Sequence, residues 1–466
     1  MPAMGISRGR VRLAAALVAV TASAATLAPA ASSATSSAVP SAVSQVVSQA
    51  RVGAVVPAVA TSAPDPFFTY AGSTPLADLP PGAVLATRAL PYRIAKLSLP
   101  LQLVQILFRT TNQRGEAVAG VTTVVKPLLG RTAKVIGYQS FYDSLNPEDG
   151  PSRAYSGVFS PGVMAAHVET TLFAGFLLQG YAIVVADTQG PTADFAAGPE
   201  YGQVTLDSLR AALNAPGTGI APSARVGLIG YSGGAIATNW ASVLAPSYAP
   251  DIDRRLVGAA EGGVLVRPSA NLGYVDGSMV WAGVIPMAVV GVARAFGVDL
   301  TPYLNDYGKQ VYARLQHASI SQVLGAYPGL TWQKMTKPEY ADPARIPVFV
   351  ETVNQLNLGT RPTPSVPMFI GQGTAGQIEG TARSASVGPG DGVMIAGDVR
   401  SLARQYCADG LPVVHREYPL SHFTSVPFWL PEAMAWLNAR FAGTPAPDTC
   451  ASIPAGNPLT PLVPAS

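Results

Sequence analysis

Between residues 100 and 250, short runs rich in Val, Ile and Tyr alternate with stretches of helical periodicity, and this alternation restricts the possible folds more than any other feature. The runs at 103–109, 120–126, 134–139, 181–186 and 225–231 have the length and β-branched content of strands. Helices are predicted between them over 206–213 and 235–244. In the second, Ile236, Trp240, Val243 and Leu244 fall on one face at i, i+4, i+7 and i+8. Strands joined by crossover helices pair in parallel, so the pattern predicts the α/β class with a mostly parallel central sheet.

The rhythm stops near Asp251 and returns with strand-like runs at 366–371 and 413–418 and helices predicted over 399–408 and 431–441. The intervening residues read as an inserted, mainly helical cap. The chain then divides into an α/β core in two parts, 64–250 and 346–445, a cap over 251–345, and a Pro-rich tail over 446–466 whose last residues are expected to be loose. Within the cap, the uncharged stretch 277–293 carries Met279, Val280, Trp281, Val284, Ile285, Met287, Val289 and Val290. It is too short for a membrane span, and Pro286 and three glycines weaken that reading further. A cap helix fits better, either packed into a core, which is the plainer reading, or facing a ligand.

Upstream, Arg8, Arg10 and Arg12 precede an apolar stretch over 13–25 and the small-residue sites Ala22-Ser23-Ala24 and Ala28-Pro29-Ala30. These are the parts of a secretory signal peptide, assigned to 1–30, and the Ala-, Ser- and Val-rich segment 31–63 reads as a linker or propeptide. The protein is therefore expected outside the cell, without a membrane span once the signal is removed. Three of the 30 Lys and Arg residues sit in this leader, and the remainder balance the 27 Asp and Glu. No basic cluster is left to neutralise a row of phosphates, so nucleic acid is not an expected partner. Export also predicts that Cys407 and Cys450 pair. Closing that loop of about 44 residues would contribute roughly 4 kcal/mol by the entropic model.

Gly230-Tyr231-Ser232-Gly233-Gly234 matches G-x-S-x-G, in which a serine sits on a sharp turn and glycines keep Cβ atoms clear of it. In a chain with 46 glycines the pattern alone is weak. Its position, directly after the strand 225–231 and before the helix 235–244, is the one a nucleophile elbow requires, and it nominates Ser232. A serine hydroxyl needs a base, and the candidates are His167, His317, His415 and His422. The α/β-hydrolase order of Ser, acid, His leaves His415 and His422. His415 lies within a predicted strand, while His422 follows that strand in a loop, so His422 is the expected base.

The acid is to be sought after the strand ending at 371, where Glu379, Asp391 and Asp398 are available. Asp391, in the turn Gly388-Pro389-Gly390-Asp391-Gly392, is preferred, and Asp398 also reads as the cap of the following helix. An oxyanion hole needs two N–H donors. Gly233 supplies one, and Asp143, just past the strand 134–139, is the candidate for the other, with an Asx turn as the bland alternative.

Taken together, Tyr138-Gln139 with Tyr142-Asp143-Ser144, the run 206–212, the elbow 230–234, and the stretch from Asp391 to Cys407 followed by His422 resemble the secretory lipase family similar to fungal lipase A, in an actinobacterial-type form. The resemblance spans 65–443. It implies an α/β-hydrolase fold, an acid that precedes the helical cysteine by the Asp391-to-Cys407 interval, and an oxyanion donor at the Asp143 position. The insertion 374–390 departs from the pattern, and the cap matches only in position and character. The expected activity is that of a secreted serine carboxylic-ester hydrolase, foremost a triacylglycerol lipase working through an acyl-enzyme on a lipid ester or acylglycerol at a lipid–water interface. That chemistry calls for neither metal nor organic cofactor. The alternatives are an esterase or acyltransferase with the same triad, or a non-catalytic lipid-binding protein of the cell envelope.

Overall fold

The computed structural model describes residues 65–465, so the expected signal peptide and low-complexity segment lie outside the described residues. Nine strands form one sheet: β1 (Val84–Ile94), β2 (Leu97–Thr111), β3 (Ala117–Val125), β4 (Thr132–Gln139), β5 (Ala182–Ala186), β6 (Ile220–Tyr231), β7 (Leu256–Gly262), β8 (Met368–Gly373) and β9 (Val413–Tyr418). Their order is β1-β2-β3-β5-β4-β6-β7-β8-β9. An antiparallel meander of β1 to β3 joins β5, and from β5 to β9 every neighbouring pair is parallel.

Around the sheet run α1 (Met164–Leu178), α2 (Gly198–Asn214) and α3 (Gly233–Tyr248). The long β7–β8 connection then contributes α4 (Val284–Phe296) and α5 (Pro347–Gln355), and α6 (Ala396–Ala408) and α7 (His422–Phe441) complete the set used below. Consecutive strand residues point to opposite faces, so each strand feeds two cores. Val135, Leu228, Ile370 and Val413 pack with α2, α3 and α6 on one face. Their neighbours Ile136, Ile229, Phe369 and Val414 pack with α1 and α7 on the other. Burial on both faces explains why these strands read as continuous apolar runs.

Three expectations need correction. First, the interruption placed at 251–345 begins after β7, because residues 256–262 form a central strand between β6 and β8. Leu256-Val257-Gly258-Ala259-Ala260-Glu261-Gly262 is too poor in β-branched residues to show a strand signal. Second, the tail is held in place. Ile453 is buried, Asn457 donates to Val387 O and Asp398 Oδ1, and Leu462 N–H donates to Asn354 Oδ1 on α5 at 2.8 Å. Third, the helix expected over 431–441 begins at His422, so that residue is helical rather than in a loop. Pro427 and Pro431 disguise the earlier start.

Cys407 on α6 is bonded to Cys450, with Cα atoms 5.7 Å apart. The stretch 277–293 contains α4, and both readings made of it apply. Met287 and Val290 are fully buried in the cap's own core, while Ile285, Ala288, Val289 and Val292, spaced at i, i+3, i+4 and i+7, line a cavity. Met279 precedes the helix and is 59% exposed. No helix among the described residues is long and apolar enough to cross a membrane.

Candidate active site

Ser232 is the single residue between β6 and α3. Its backbone lies at φ 56°, ψ −121°, a conformation that costs a non-glycine residue about 1–3 kcal/mol. The turn is fixed from the neighbouring strand by Ser232 N–H donating to Gly262 O at 2.8 Å. Elbow glycines leave room for it: a Cβ at Gly230 would lie 2.2 Å from Gly234 O, and one at Gly234 would lie 2.0 Å from Gln139 O. Together with Tyr231, whose hydroxyl donates to His422 O at 2.7 Å, the motif binds the serine turn to the helix that carries the histidine.

His422 is the first residue of α7, whose N-terminus is closed by a capping box between Ser421 and Thr424. Its Nδ1 lies 2.7 Å from Asp391 Oδ2, and its backbone N–H donates to Asp391 O at 2.7 Å. Asp391 is fully buried, and its Oδ1 accepts from Val393 N–H and Met394 N–H at 3.0 and 2.7 Å. Gly263, at φ +60°, covers the pair, and a side chain there would come within 2.7 Å of His422 Cε1. Burial pulls the imidazole pKa down, but the carboxylates of Asp391, Glu379 and Asp143 outweigh it, so the net shift is upward. Nε2 is buried and has no protein partner, and His422 and Ser232 line the same cavity.

The other candidates lie elsewhere. Asp398 sits in the first turn of α6, but the N-cap is Ile395, and the carboxylate pairs with Arg267 at 3.2 Å. Glu379 bonds to Trp281 and Phe423 rather than to a histidine. His415 is buried within β9, where desolvation brings it down to about 4. His167 is bonded to Val158 O from α1, and His317 is exposed.

Asp143 follows β4 in a loop with φ 26°, next to the elbow: a Cβ at Gly233 would lie 2.0 Å from Asp143 Oδ1. Burial raises its carboxyl to about 7, against the opposing influence of His422. No Asx turn forms, because Leu145 N–H, which would close it, donates to Ala318 O in the cap at 2.9 Å. The loop is held from several sides. Ile320 N–H donates to Asp143 O at 2.8 Å, Gln189 Nε2 donates to Asp143 Oδ1 at 3.2 Å, and Glu169 on α1 binds Ser140 Oγ, Phe141 N–H and Tyr138 OH. Gly233 N–H opens α3 and is one of the donors a helix leaves unpaired at its start.

All of this opens onto a cavity of about 350 Å³ enclosed by Phe195, Ala288, Val289, Leu324, Phe349, Val353 and other mainly apolar side chains. A serine on a sharp strand-to-helix turn that lines an apolar cavity is a geometry suited to handling acyl groups.

A family model described as "Secretory lipase" matches residues 160–449. The chain belongs to the secretory lipase family. It is a lipase/esterase hydrolase of the α/β-hydrolase fold. Among secretory lipases and their relatives it resembles Lipase 1 of Candida albicans, 29% identical over 401 residues, which cover 83% of this chain and 82% of the relative. A protein of Mycobacterium tuberculosis named "Probable inactive lipase" is 29% identical, covering 79% of this chain and 80% of its own. The closed state of Candida antarctica lipase A superimposes with a TM-score of 0.72 at 28% identity, covering 84% of this chain and 89% of that one.

Sequence reasoning passed over Glu169, Gln189, Gly263 and Ile320 and placed Trp281 only within the apolar cap stretch; all five shape this secretory lipase's site. Glu169 alone left a signal: it is the one acidic residue in the otherwise mainly apolar α1, and buried carboxyls need partners.

Proposed function

We propose that the protein is a secreted triacylglycerol lipase acting through Ser232, His422 and Asp391. Ser232 Oγ attacks the ester carbonyl as His422 Nε2 takes its proton. Asp391, bonded at Nδ1, holds the tautomer that leaves Nε2 free to accept and stabilises the imidazolium that forms. The N–H groups of Gly233 and Asp143 receive the oxyanion, and loss of one such donor typically costs about 3–4 kcal/mol of transition-state stabilisation. Collapse of the tetrahedral intermediate passes the proton from His422 to the departing alcohol, and water then releases the acyl group by the same steps in reverse roles.

The observation that carries this reading is that His422, held at Nδ1 by the buried Asp391, lines one apolar cavity together with Ser232. An acyl chain fits such a lining, because its burial gains about 0.8 kcal/mol per methylene. The leader features of 1–30 and the family's name support export. A relative described as inactive makes the test a matter of residues rather than of fold.

Hydrolysis of p-nitrophenyl butyrate, p-nitrophenyl palmitate and emulsified triolein, compared between wild type and Ser232→Ala, checks the proposal. Turnover of palmitate and triolein that vanishes in the variant is expected. Turnover of butyrate alone would make the protein an esterase, and equal behaviour of wild type and variant would remove the triad.

A further inference from the structure

Glu379 is one of the acidic residues that follow β8, and its place in the structure gives it a task other than meeting a histidine. It lies in the segment 374–390 that separates β8 from Asp391, at the end of the 3-10 turn Gly376–Glu379, and is 9% exposed. Its Oε1 accepts Phe423 N–H at 2.9 Å, and its Oε2 accepts the Trp281 indole N–H at 2.8 Å. Phe423 is the residue after His422 in the first turn of α7, where a carboxylate is also favoured by the helix dipole. Trp281 comes from the β7–β8 connection that forms the cap.

The two residues that Glu379 binds, Trp281 through its indole and Phe423 through its backbone N–H, both set their rings against the imidazole. Trp281 meets His422 edge-on, with ring centroids 5.1 Å apart and planes at 84°. Trp281 is also stacked on Phe423 at 5.0 Å and 22°. One carboxylate therefore sets both the cap wall of the histidine and the first turn of its helix. The charged groups that face His422 are Asp391 at Nδ1, Asp143 from the oxyanion loop, and Glu379; Tyr231 packs against its ring at 5.0 Å.

We propose that Glu379 is a positioning residue for the hydrolytic reaction, tying Trp281 of the cap to the first turn of α7 and adding its carboxylate to those of Asp391 and Asp143 around His422. The proposal rests on the reading of His422 as the base. A negative charge near the ring favours the imidazolium that forms in each transition state. A purely structural tie would hold the ring without affecting its proton affinity, so the two roles separate in a pH profile.

The test is kcat/KM for a soluble p-nitrophenyl ester as a function of pH in wild type, Glu379→Gln and Glu379→Asp, with thermal unfolding as a control for folding. Removing the charge favours neutral imidazole, so in Glu379→Gln the acid limb should move to lower pH by about half a unit or more, with kcat reduced. Glu379→Asp keeps the charge and shortens the reach, so kcat should fall while the limb stays in place. An unshifted limb in Glu379→Gln overturns the proposal whatever happens to kcat. If that variant does not fold, wild-type kcat in Glu379→Asp overturns it. A wild type without turnover, or activity that survives Ser232→Ala, would instead defeat the triad reading on which the proposal stands.

Discussion

At the scale of single residues, the site concentrates its cost in Ser232 and its reward in Asp391. The serine is held at positive φ, and the surrounding turn compensates through Gly262 O, Tyr231 and glycines with no space for a Cβ. Asp391 accepts two backbone N–H groups on one oxygen and His422 on the other, so its position is set independently of substrate. Replacing it by Asn keeps the shape but offers His422 an amide that permits the wrong tautomer. Asp391→Asn is expected to lower kcat by about 10³–10⁴-fold with little change in thermal stability, measured with p-nitrophenyl butyrate. A loss smaller than about tenfold would show that another group orients the ring. Ser232 was legible because an elbow is local: motif, strand and helix are contiguous. Asp391 was only preferred, since the insertion 374–390 removes the spacing from the strand, and nothing local distinguishes an acid that meets His422 from one that meets Arg267. Trp281 and Gly263 were not legible, because their roles exist only where the cap and β7 come together.

Among the elements, α4 shows how a single helix serves two surfaces. Met287 and Val290 anchor it in the cap core, and Ile285, Ala288, Val289 and Val292 face the cavity. Filling that face should shorten the space for an acyl chain without disturbing the anchor. Ala288→Phe is expected to cut kcat/KM for p-nitrophenyl palmitate at least about tenfold relative to butyrate, since each excluded methylene forfeits binding energy. Equal effects on both esters would place the acyl chain elsewhere. Helices and strands with strong periodicity were readable in the sequence, and the errors have specific causes. β7 is built largely from Gly and Ala, which pack between two strands without a β signal. The start of α7 is hidden by Pro427 and Pro431. The tail was expected to be loose from its prolines, yet the Asn457 side chain and the Leu462 N–H find buried or cap partners.

For the molecule as a whole, the two cores enclose carboxyls that pure packing would avoid. Glu261 on β7 is fully buried with one oxygen bonded to Asn239 and the other without a partner, and Glu169 lies under the loop that carries Asp143. Burial raises both to about 8, from a value of 4.5 outside the fold. The folded state therefore holds protons that the unfolded state has released, so this contribution to stability is full below about pH 4.5 and is lost as pH rises through about 8. Asp143, raised to about 7, and His422, also raised, act in the same direction. The lowered His415 and His167 oppose it only below their ordinary value of 6.5. The melting temperature should thus fall between about pH 6.5 and 8, and Glu261→Gln should flatten that slope when both proteins are followed by differential scanning fluorimetry. A melting temperature that rises across this range would contradict the assignment. The mostly parallel sheet and the presence of an insertion were readable from the order of elements, whereas these buried carboxyls depend on contacts between residues far apart in sequence.

Whether Ser232 is the nucleophile is tested most directly by covalent trapping. The protein should be treated with an alkyl fluorophosphonate, its residual esterase activity followed, and the modified residue located by peptide mass spectrometry. One equivalent of label on Ser232, with activity lost in proportion and no labelling of Ser232→Ala, is the expected result. Label on another residue that tracks inactivation, or an unlabelled protein that still hydrolyses esters, would contradict it.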